Sequence, residues 1–599
     1  MNLREARLAN LEETGSAAVS GMLIDHLDLW TGAVTSKSTA GRGTSSGKRG
    51  KIELTGIKKL RELILELAVR GKLVDQDPSD EPASVLLERI AEEKARLVKE
   101  GKIKKPKRLP PITDNEEPYD LPSGWQITRI GEFINLTSGQ HLKGEEYSET
   151  PDQDSIPYLT GPAEFGSINP MPTRHTKERR ALARPRDILI TCKGSGVGKL
   201  NWADEDIAIS RQLMAISPII INGRYAFIIL DSLRESIREN IVGIAIPGIS
   251  REDISHAIAW LPPLSEQDRI VEKVDELMAL CDRLEQQIGD QLEAHEVLVD
   301  TLLGALIRSA DAAEVAQSWA RIAEHFDTLF TTEASIDKLK QTILQLAVMG
   351  RLVPQDPDDE PASVLLERIA EEKARLVKEG RIKKPKSVAP VRDEERSYLT
   401  HANWAWARFQ DIANEISTGP FGSMIHKHDY VDDGVPLINP SHMVSGEIQE
   451  DRSVSIPGPK AEELSSYKLA AGDMVMARRG EVGRCAIVTD REAGWLCGTG
   501  SFVLRFHDSL SRRFILMMFA TDRVRGYLTG NSIGTTMTNL NHGILNRMPV
   551  ALPPANEQHR IVKKVDELMA LCDRLKARLG EAGETRNQLA GAVVEQAVT

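Results

Sequence analysis

The sequence EPASVLLERIAEEKARLVKEG occurs twice in this chain, at residues 81–101 and again, without a difference, at residues 360–380. A second repeated block follows each copy: EQDRIVEKVDELMALCDRL begins at Glu266, and EQHRIVKKVDELMALCDRL begins at Glu557. Between the repeated blocks lie residues 120–262 and 399–553, which share little beyond a few glycines. The pattern predicts a duplicated scaffold that carries two different domains, related by an internal pseudo-two-fold repeat.

The first part of each repeat has the apolar spacing of a helix. Ile57, Leu60, Ile64 and Leu67 follow one another at intervals of three and four residues, and Gly71 is a suitable C-terminal cap. The same positions recur in the second copy as Ile336, Leu339, Ile343, Leu346 and Gly350.

The second repeated block predicts long helices that pack lengthwise, as an antiparallel coiled coil. Ser265 and Asn556 are candidate N-caps, and a helix over 265–308 would be about 65 Å long at 1.5 Å per residue. Cys281 and Cys572 fall on the apolar seam, so we interpret them as small core residues. The seam positions are Ile270, Val274, Leu277, Cys281, Leu284 and Ile288, and Ile561, Val565, Leu568, Cys572, Leu575 and Leu579.

The divergent stretches show short β-rich runs separated by turns, which predicts two compact α/β (α+β) domains. In each stretch a strand leads into a glycine-rich turn, KGSGVGK at 193–199 and RGEVGR at 479–484. KGSGVGK lacks the first glycine and the hydroxyl of a Walker loop, and its glycines do not match GxGxxG. We therefore predict a tight hairpin turn in each case.

Composition limits the class of protein. The apolar fraction is 41% and the charged fraction 27%, as in ordinary globular chains. No apolar run is long enough for a membrane span, the N-terminus is too charged for a signal peptide, and the five cysteines show no CxxC pair. We expect a cytoplasmic protein without a membrane partner, a metal site or disulfides.

The net charge of −12 does not by itself favour a polyanionic partner. Residues 125–262 hold 15 Lys and Arg against 17 Asp and Glu, and residues 404–552 hold 15 against 16. The two domains are thus near neutral, at −2 and −1, and the scaffold with its flanks carries the remaining −9.

Catalytic motifs are missing from the sequence. INPM at 168–171 and INPS at 438–441 lack the second proline and the aromatic residue of a DNA methyltransferase motif, and no HExxH pattern occurs. We therefore expect no catalytic residue and favour a recognition protein over an enzyme.

Basic and polar clusters in the two domains are candidates for contacts to DNA bases or phosphates, because Arg, Lys, His, Asn and Thr make such contacts. Solvated surface loops are the alternative interpretation. The candidates in the first domain are Arg174, His175, Lys177, Arg179, Arg180, Lys193 and Lys199. Those in the second are His426, Lys427, His428, Arg478, Arg479, Arg484, Thr535, Thr536, Asn539, Asn541 and His542.

Two divergent domains, each followed by Leu-Pro-Pro and the EQxRIVxKVDELMALCDRL helix, resemble the specificity subunit (HsdS) of type I restriction–modification systems. The repeated blocks at 57–107 and 336–386 are similar to the type IB subgroup. The resemblance implies two target recognition domains that each read one half of a bipartite, asymmetric DNA site. It also implies docking of two modification (methyltransferase) subunits and up to two restriction (helicase–nuclease) subunits.

The resemblance further implies that the cofactors belong to the partners. S-adenosylmethionine would serve adenine methylation in the methyltransferase, and ATP and Mg would serve cleavage in the restriction subunit, with no cofactor in this chain. Two other functions stay open at this point: a structural coiled-coil adaptor, and a stand-alone DNA methyltransferase.

The expected domain boundaries follow from the repeats. Residues 1–30 can hold a short helix around Leu23, Ile24 and Leu27, and residues 31–51 are typical of a flexible linker. The segments are an N-terminal helix and linker (1–56), conserved helical regions (57–119 and 336–398), target recognition domains (120–262 and 399–553), a long helix with its linker (263–335) and a second long helix (554–599).

Overall fold

The computed structural model describes most of the chain. The described residues are 25–32, 35–37, 51–113, 121–194, 196–234, 248–309, 312–396, 398, 400–421, 424–530 and 540–598. They form two compact units. The first comprises the described residues up to 290 together with 583–598, and the second comprises residues 291–582.

The scaffold of the first unit begins with a short helix and a strand pair. Its elements are α1 (Leu27–Gly32), β1 (Thr35–Lys37), β2 (Lys51–Glu53), α2 (Thr55–Val69) and α3 (Ala83–Lys99). Strands β1 and β2 pair antiparallel, so the predicted flexible linker is wrong at these residues, while 38–50 lie outside the described residues. Of the residues on which the predicted N-terminal helix rests, Leu27 lies in α1, and Leu23 and Ile24 are also outside the described part.

In its described residues, the first recognition domain is built from short strands with three α-helices. The elements are β3 (Gln126–Arg129), α4 (Ile130–Phe133), β4 (Ile134–Ser138), β5 (Ile156–Leu159), β6 (Arg174–Thr176), β7 (Leu182–Ala183), β8 (Ile188–Thr191), β9 (Leu200–Trp202), β10 (Ile207–Ile209), β11 (Leu213–Pro218), α5 (Gly223–Ser232), α6 (Arg251–Ser255) and β12 (Ile258–Leu261).

A long helix, α7 (Leu264–Arg308), follows this domain. Its residues up to 290 belong to the first unit and those from 291 to the second. Four further helices precede the second domain: α8 (Ala312–Glu324), α9 (Phe326–Leu329), α10 (Glu333–Val348) and α11 (Ala362–Lys378).

The second recognition domain and the last helix complete the second unit, apart from residues 583–598 of that helix. The elements are β13 (Ala405–Arg408), α12 (Phe409–Ile412), β14 (Ala413–Thr418), β15 (Val435–Ile438), β16 (Met443–Val444), β17 (Glu447–Ile448), β18 (Ser455–Ile456), α13 (Gly458–Glu463), β19 (Met474–Ala477), β20 (Cys485–Ile487), β21 (Leu496–Cys497), β22 (Ser501–Phe506), α14 (Arg512–Ala520), α15 (Asp522–Gly530), α16 (His542–Arg547), β23 (Pro549–Leu552) and α17 (Ala555–Val598).

The two recognition domains have the same central topology despite their different sequences. The first contains an antiparallel sheet in the order β4-β11-β8-β9, and the second contains β14-β22-β19-β20. In each, the first and last strands pair separately, β3 with β12 and β13 with β23. Burial explains this likeness, because the central strands Ile188–Thr191 and Met474–Ala477 are apolar and buried on both faces.

The apolar seams of the long helices are core positions, as predicted. Leu277, Cys281 and Leu284 surround a small apolar cavity together with Trp30, Leu60 and other residues of α1 and α2. In the second unit, Ile561, Val565 and Cys572 share one core with residues of α9 and α10 and with Val299, Leu303 and Leu306 of α7. Leu568, Leu575 and Leu579 pack against that core while partly exposed. The described partners of each seam therefore include the short helices that precede the domain.

The two predicted N-caps of the long helices are wrong. The long helices begin at Leu264 and Ala555, so Ser265 and Asn556 lie inside the first turn and are not N-caps. The glycine caps are confirmed: Gly71 and Gly350 have φ of +68° and +73°, values that glycine adopts without strain.

Among the described helices, none is long and apolar enough to cross a membrane.

The repeat extends further towards the N-terminus than the identical blocks indicate. His26-Leu-Asp precedes α2, and His325-Phe-Asp precedes α10. In each copy, two successive backbone N–H groups donate to the histidine carbonyl oxygen, at 2.9 and 3.0 Å from His26 and at 3.0 Å from His325. Trp30 in the first copy and Leu329 in the second are buried. Helix α1 is thus the counterpart of α9 and belongs to the scaffold.

Candidate nucleic-acid interface

The repeated Glu-Gln-x-Arg motif joins each recognition domain to its long helix. Glu266 is buried, and its carboxylate accepts a hydrogen bond from Trp125 Nε1 at 3.0 Å and one from Gln76 Nε2 at 3.3 Å. Gln267 accepts from the backbone N–H of Asn222 at 2.9 Å and donates to the Pro262 carbonyl at 3.0 Å. The helix start is therefore tied to the scaffold, to the first strands of the domain and to the beginning of α5.

The second copy repeats this junction with its own residues. Glu557 accepts from Trp404 Nε1 at 2.9 Å and from Gln355 Nε2 at 2.5 Å. Gln558 accepts from the backbone N–H of Ser511 at 2.9 Å. Burial raises the pKa of both Glu266 and Glu557, while the hydrogen bonds that they accept oppose that shift.

The arginine of the motif forms an ion pair in each copy. Arg269 pairs with Asp80 at 2.7 Å, and Arg560 pairs with Asp359 at 2.5 Å. The hydrogen bond from Arg560 lowers the pKa of Asp359. The identical blocks of sequence thus fix a recognition domain by the same contacts twice, which accounts for their identity at these positions.

The glycine-rich segments form hairpin turns, as predicted. Strands β8 and β9 pair antiparallel around 193–199, and β19 and β20 pair antiparallel around 479–484. Gly194, Gly198, Gly480 and Gly483 all have positive φ. Neither turn precedes a helix, so neither forms the strand–loop–helix arrangement of a phosphate-binding loop.

Five segments meet at the hairpin turn in each recognition domain. We define the first loop cluster as residues 139–141, 160–162, 192–199 (of which 195 lies outside the described residues), 210–212 and 248–249. We define the second loop cluster as residues 419–421, 439–440, 478–484, 498–500 and 540–542.

Equivalent backbone hydrogen bonds hold both clusters. In the first, the N–H of Cys192 donates to the Gln212 carbonyl at 2.7 Å, and the N–H of Ile249 donates to the Cys192 carbonyl at 2.8 Å. In the second, the corresponding bonds run from Arg478 to Gly500 at 2.9 Å and from Leu540 to Arg478 at 2.9 Å.

Two further backbone hydrogen bonds of the first cluster have equivalents in the second. The N–H of Ser210 donates to the Leu159 carbonyl, as that of Gly498 does to Ile438. The N–H of Gly139 donates to the Leu213 carbonyl, as that of Gly419 does to Ser501. One backbone platform is thus present twice.

Close packing of backbone requires glycine at two equivalent points of this platform. A Cβ atom on Gly139 would lie 2.0 Å from the Ser210 carbonyl oxygen, and one on Gly419 would lie 2.1 Å from that of Gly498. These glycines follow Thr-Ser and Ser-Thr in their respective copies. Glycine at these positions allows strands β4 and β14 to end directly against the loops that precede strands β11 and β22.

The first loop cluster exposes cationic and amide side chains. Lys193, Lys199 and Arg211 are exposed and form no ion pair with any described residue. Gln140 and Gln212 are also exposed, and amides of this kind can read adenine in the major groove.

The second loop cluster presents a different set on the same platform. The Arg478 guanidinium lies 5.4 Å from the centre of the Phe502 ring, and His542 packs on that ring edge-on at 5.0 Å. Arg478 Nε is buried without a hydrogen-bond partner among the described residues. Burial lowers the pKa of both Arg478 and His542, which favours a neutral imidazole in His542 at pH 7. Arg479 is exposed.

Other predicted residues of the second cluster have mainly local partners. Arg484 forms an ion pair with Glu481, three residues earlier. Asn541 caps α16 by accepting the N–H of Ile544 at 3.0 Å. Thr535, Thr536 and Asn539 lie outside the described residues.

The basic run at 174–180 lies away from the hairpin and forms ion pairs. Residues Arg174–Thr176 form the strand β6 at the edge of a second sheet, and the run precedes β7. Lys177 pairs with Asp152 at 2.5 Å, and Arg180 pairs with Glu178 at 2.8 Å and also with Glu146. The Arg174 guanidinium lies over the ring of Tyr147.

Two further residues of this run have different surroundings. Arg179 Nη2 donates to the backbone carbonyl of Asp154 at 3.2 Å. His175 pairs with Pro157 in the strand register, and its Nδ1 is buried without a hydrogen-bond partner among the described residues.

The predicted cluster at 426–428 lies at the position in the second domain that corresponds to residues 143–145 in the first. His426 precedes the short 3₁₀ helix Lys427–Asp429, and its backbone N–H donates to Asp429 at 2.6 Å. In the first domain, Lys143 donates in the same way to Glu146 at 2.7 Å. The His426 and His428 rings stack at 5.4 Å.

The sequence alone did not identify several residues of the loop clusters. Gln140, His141, Arg211 and Gln212 in the first cluster and Phe421, Asn439 and Thr499 in the second were not among the candidates. Residues 139–141 could have been found from the sequence, because Gly139 follows Thr-Ser just as Gly419 follows Ser-Thr. The other segments of the clusters are brought together only by the pairing of strands.

Thiol chemistry and metal binding have no support among the described residues. All five cysteines are buried and free, and burial raises the pKa of Cys192 and of Cys497 to about 12, which opposes thiolate chemistry. Within the described part of the chain, no group of three or more His, Cys, Asp or Glu residues is placed to hold a metal ion.

Comparison with known proteins identifies the family. The family described as "Type I restriction modification DNA specificity domain" matches residues 122–294 and 415–582. The type I restriction enzyme EcoAI specificity subunit of Escherichia coli is 38% identical over 97% of this chain and 100% of its own length. The EcoEI specificity subunit, also from Escherichia coli, is 37% identical with the same coverage.

A chain from a solved type I R–M system complex covers 80% of this chain and 99% of its own length, with 17% identity and a TM-score of 0.45. The family match and the two relatives lead to one conclusion: the chain belongs to the family of type I restriction–modification DNA specificity subunits.

Proposed function

We propose that this chain is the sequence-specificity subunit of a type I restriction–modification complex, and that each loop cluster reads one half of a bipartite, asymmetric DNA site. The observation that carries the proposal is the duplicated backbone platform, which presents different side chains at equivalent positions. In the matching backbone hydrogen bonds, Gln212 is equivalent to Gly500, and Cys192 is equivalent to Arg478. A shared platform with different side chains would recognise two different half-sequences in the same geometry.

Within each cluster we assign direct contacts by chemistry. Arg211, Gln212 and Gln140 in the first cluster and Arg478, Arg479 and His542 in the second can donate to base edges. Lys193 and Lys199 would contact phosphates. Arg174, Lys177, Arg179 and Arg180 would contribute at the edge of the interface, since the exposed ion pairs of Lys177 and Arg180 are weak. His426 and His428 would contribute there as well, while the Lys427 side chain lies outside the described part of the chain.

The catalytic steps would belong to the partners. We infer that two methyltransferase subunits, which bind S-adenosylmethionine and methylate adenine, dock on this chain in the cytoplasm. Up to two restriction subunits would use ATP and Mg for cleavage. The duplicated scaffold supports a stoichiometry of two, because two equal surfaces fit two equal partners.

The long helices would serve as the ruler that separates the half-sites. An exchange of helix ends supports their antiparallel pairing: α7 contributes its last residues to the second unit, and α17 contributes its last residues to the first. Residues at equivalent positions near the ends of α7 and α17 contact the equivalent short helices α9 and α1. His295 Nε2 lies 3.1 Å from the Thr328 carbonyl oxygen, and the Arg586 side chain lies beside Gly32.

The domain boundaries remain part of the proposal. We keep the recognition domains at 120–262 and 399–553 and assign the rest of the described chain, including α1, to the scaffold.

Methylome sequencing of a host that carries this chain with its partner subunits tests the function. The expected result is one bipartite methylated site, and exchange of residues 399–553 for those of a relative should change only one half of it. An unchanged site after the exchange would favour a structural adaptor. Methyl transfer by the purified chain alone would favour the stand-alone methyltransferase.

Affinity gives a second test of the same function. Because the recognition domains are near neutral, the isolated chain should bind DNA weakly, and the complex with the methyltransferase subunits should bind it much more tightly. Equal affinities in a gel-shift titration would contradict this.

A further inference from the structure

Each scaffold copy contains an exposed basic tract, Lys-Lys-Pro-Lys, at residues 104–107 and 383–386. All three lysines of each tract are exposed, and the preceding isoleucine is half-buried. The tract has no regular secondary structure and follows a helix that ends at Lys99 or Lys378, two residues before Gly101 or Gly380, both with positive φ. It is a positively charged segment in a scaffold that is otherwise acidic.

The lysines of the tract differ from the other scaffold cations nearby. On the preceding helices, Arg96 forms ion pairs with Glu93 and Glu100, and Arg375 lies 3.9 Å from Glu379. Lys107 pairs with Glu252 at 3.2 Å. No other ion pair involves the tract lysines among the described residues, which leaves five unpaired cations: Lys104, Lys105, Lys383, Lys384 and Lys386.

Buried hydrogen bonds hold both ends of the tract against the recognition domain. Before it, Lys94 is buried and donates to the Gly131 carbonyl at 2.5 Å. After it, the Arg129 guanidinium donates to the carbonyl oxygens of Pro111 at 2.9 Å and His256 at 2.7 Å. The second copy repeats these bonds with Lys373 to Gln410 and with Arg408 to Ala389, Pro390 and Arg547.

These anchors place the tract next to the helix that adjoins the loop cluster. Arg129 bonds to His256, the residue after α6, and Lys107 reaches Glu252 inside α6. Helix α6 begins directly after residues 248–249 of the first loop cluster. In the second copy, Arg408 bonds to Arg547 of α16, which begins directly after Asn541 of the second loop cluster.

We propose that the two Lys-Lys-Pro-Lys tracts bind DNA phosphates beside the bases that the loop clusters read. The inference rests on the proposed function and adds a second, sequence-independent contact to each half-site. Pre-positioned unpaired lysines next to a base-reading surface are suited to phosphates, because each neutralised phosphate releases a counterion. Phosphate contacts of this kind set the position on the duplex without adding sequence information.

The test compares salt dependence of DNA binding. The variant carries K104Q, K105Q, K383Q and K384Q in the full complex with its methyltransferase subunits, and the probe is a duplex that contains the methylated site. The slope of log K against log salt concentration should become shallower by about 0.9 for each phosphate that the variant no longer neutralises. The ratio of specific to non-specific affinity should stay within about twofold, since phosphates carry no sequence information.

A matched control removes the same charge from paired positions: R89Q, R96Q, R368Q and R375Q. The control should keep the wild-type slope, because these arginines are engaged by glutamates. An unchanged slope in the lysine variant, or an equal change in the control, would overturn the tract proposal.

Loss of complex assembly in the lysine variant, seen by mass photometry, would instead assign the tracts to a protein partner. If the wild-type complex shows no preference for the site, the proposed function fails, and the tract proposal fails with it.

Discussion

The indole Nε1 of Trp404 lies 2.9 Å from a carboxylate oxygen of Glu557, and the same pair recurs as Trp125 and Glu266 at 3.0 Å. All four residues are buried. Trp404 precedes the first strand of its recognition domain, and Glu557 lies in the first turn of the long helix that leaves that domain. One hydrogen bond therefore closes each recognition domain at its two chain ends.

Removal of the indole donor should loosen this closure. We expect Trp404→Phe to lower the free energy of unfolding by about 1–3 kcal/mol, because a buried carboxylate loses a partner and the smaller ring leaves a gap. Urea denaturation followed by circular dichroism measures the effect. Trp319→Phe, at a partly exposed helix position, is the control and should change stability little. Equal effects of the two substitutions would contradict the role of the bond.

The buried glutamates predict a pH dependence. Burial raises the folded-state pKa of Glu557 above 4.5, so the folded chain holds this proton more tightly than the unfolded chain does. The contribution to the free energy of unfolding is full below pH 4.5 and declines as pH rises through the folded pKa.

Glu557→Gln removes this titration. The stability of the variant relative to wild type should therefore increase from pH 4.5 towards neutral, as measured by denaturation at a series of pH values. A constant difference across that range would show that Glu557 does not titrate in this way.

Glycine 56 allows the N-terminal helix to dock. A Cβ atom at Gly56 would lie 2.2 Å from the carbonyl oxygen of Trp30, whose side chain is fully buried. Gly56→Ala should displace α1 and destabilise the first unit by about 3–5 kcal/mol, the usual range for losing a buried tryptophan. Hydrogen exchange of residues 27–32 should rise sharply.

Gly526→Ala supplies the matched control, since no heavy atom lies within 4 Å of that Cβ position. There, alanine should stabilise α15 by up to about 1 kcal/mol. Unchanged exchange in Gly56→Ala would show that α1 is not part of the scaffold.

The sequence predicted the scaffold well because helix periodicity and glycine caps are local signals. Spacing alone predicted that Ile270, Val274 and Cys281 are core residues, and their burial confirms this prediction. A short helix within residues 1–30 was predicted, but its place in the repeat was not, because only His26 and Asp28 match the counterpart of α1, too little to recognise without the hydrogen bonds.

The loop clusters were only partly predictable, because they depend on pairing between strands that are distant in the sequence. Lys193 meets Gly248, 55 positions later in the chain, through an isolated β-bridge. The ion pair between Arg180 and Glu146 spans 34 positions and neutralises a cation that the sequence shows as free. The sequence shows which residues are basic, whereas tertiary structure determines whether a basic side chain is free of ion pairs.

The ruler predicts the effect of lengthening the scaffold. One heptad inserted into α7 after Asp290, with a matching heptad in α17 after Ala582, adds about 10 Å of helix at 1.5 Å per residue. The unread spacer should then grow by about three base pairs at 3.4 Å each, while both half-sequences stay the same. Methylome sequencing of the variant measures both. A changed half-sequence would contradict the separation of ruler and recognition.

The duplicated platform predicts that side chains of one cluster affect one half-site only. Arg479 is exposed in the second loop cluster, where an arginine can bind guanine through two hydrogen bonds. Arg479→Ala should reduce discrimination at one position of one half-sequence by about 1–3 kcal/mol and leave the other half unchanged. Binding of the complex to a library of single-base variants of the site measures this position by position.

Arg452→Ala is the matched control in the same domain, because Arg452 is engaged by Asp433 at 3.1 Å and Glu450 at 3.0 Å. It should leave the base preferences at every position unchanged. A uniform loss of affinity in Arg479→Ala, without a change in base preference, would assign Arg479 to a phosphate. An effect on both half-sequences would contradict the independence of the two clusters, on which the reading of an asymmetric site depends.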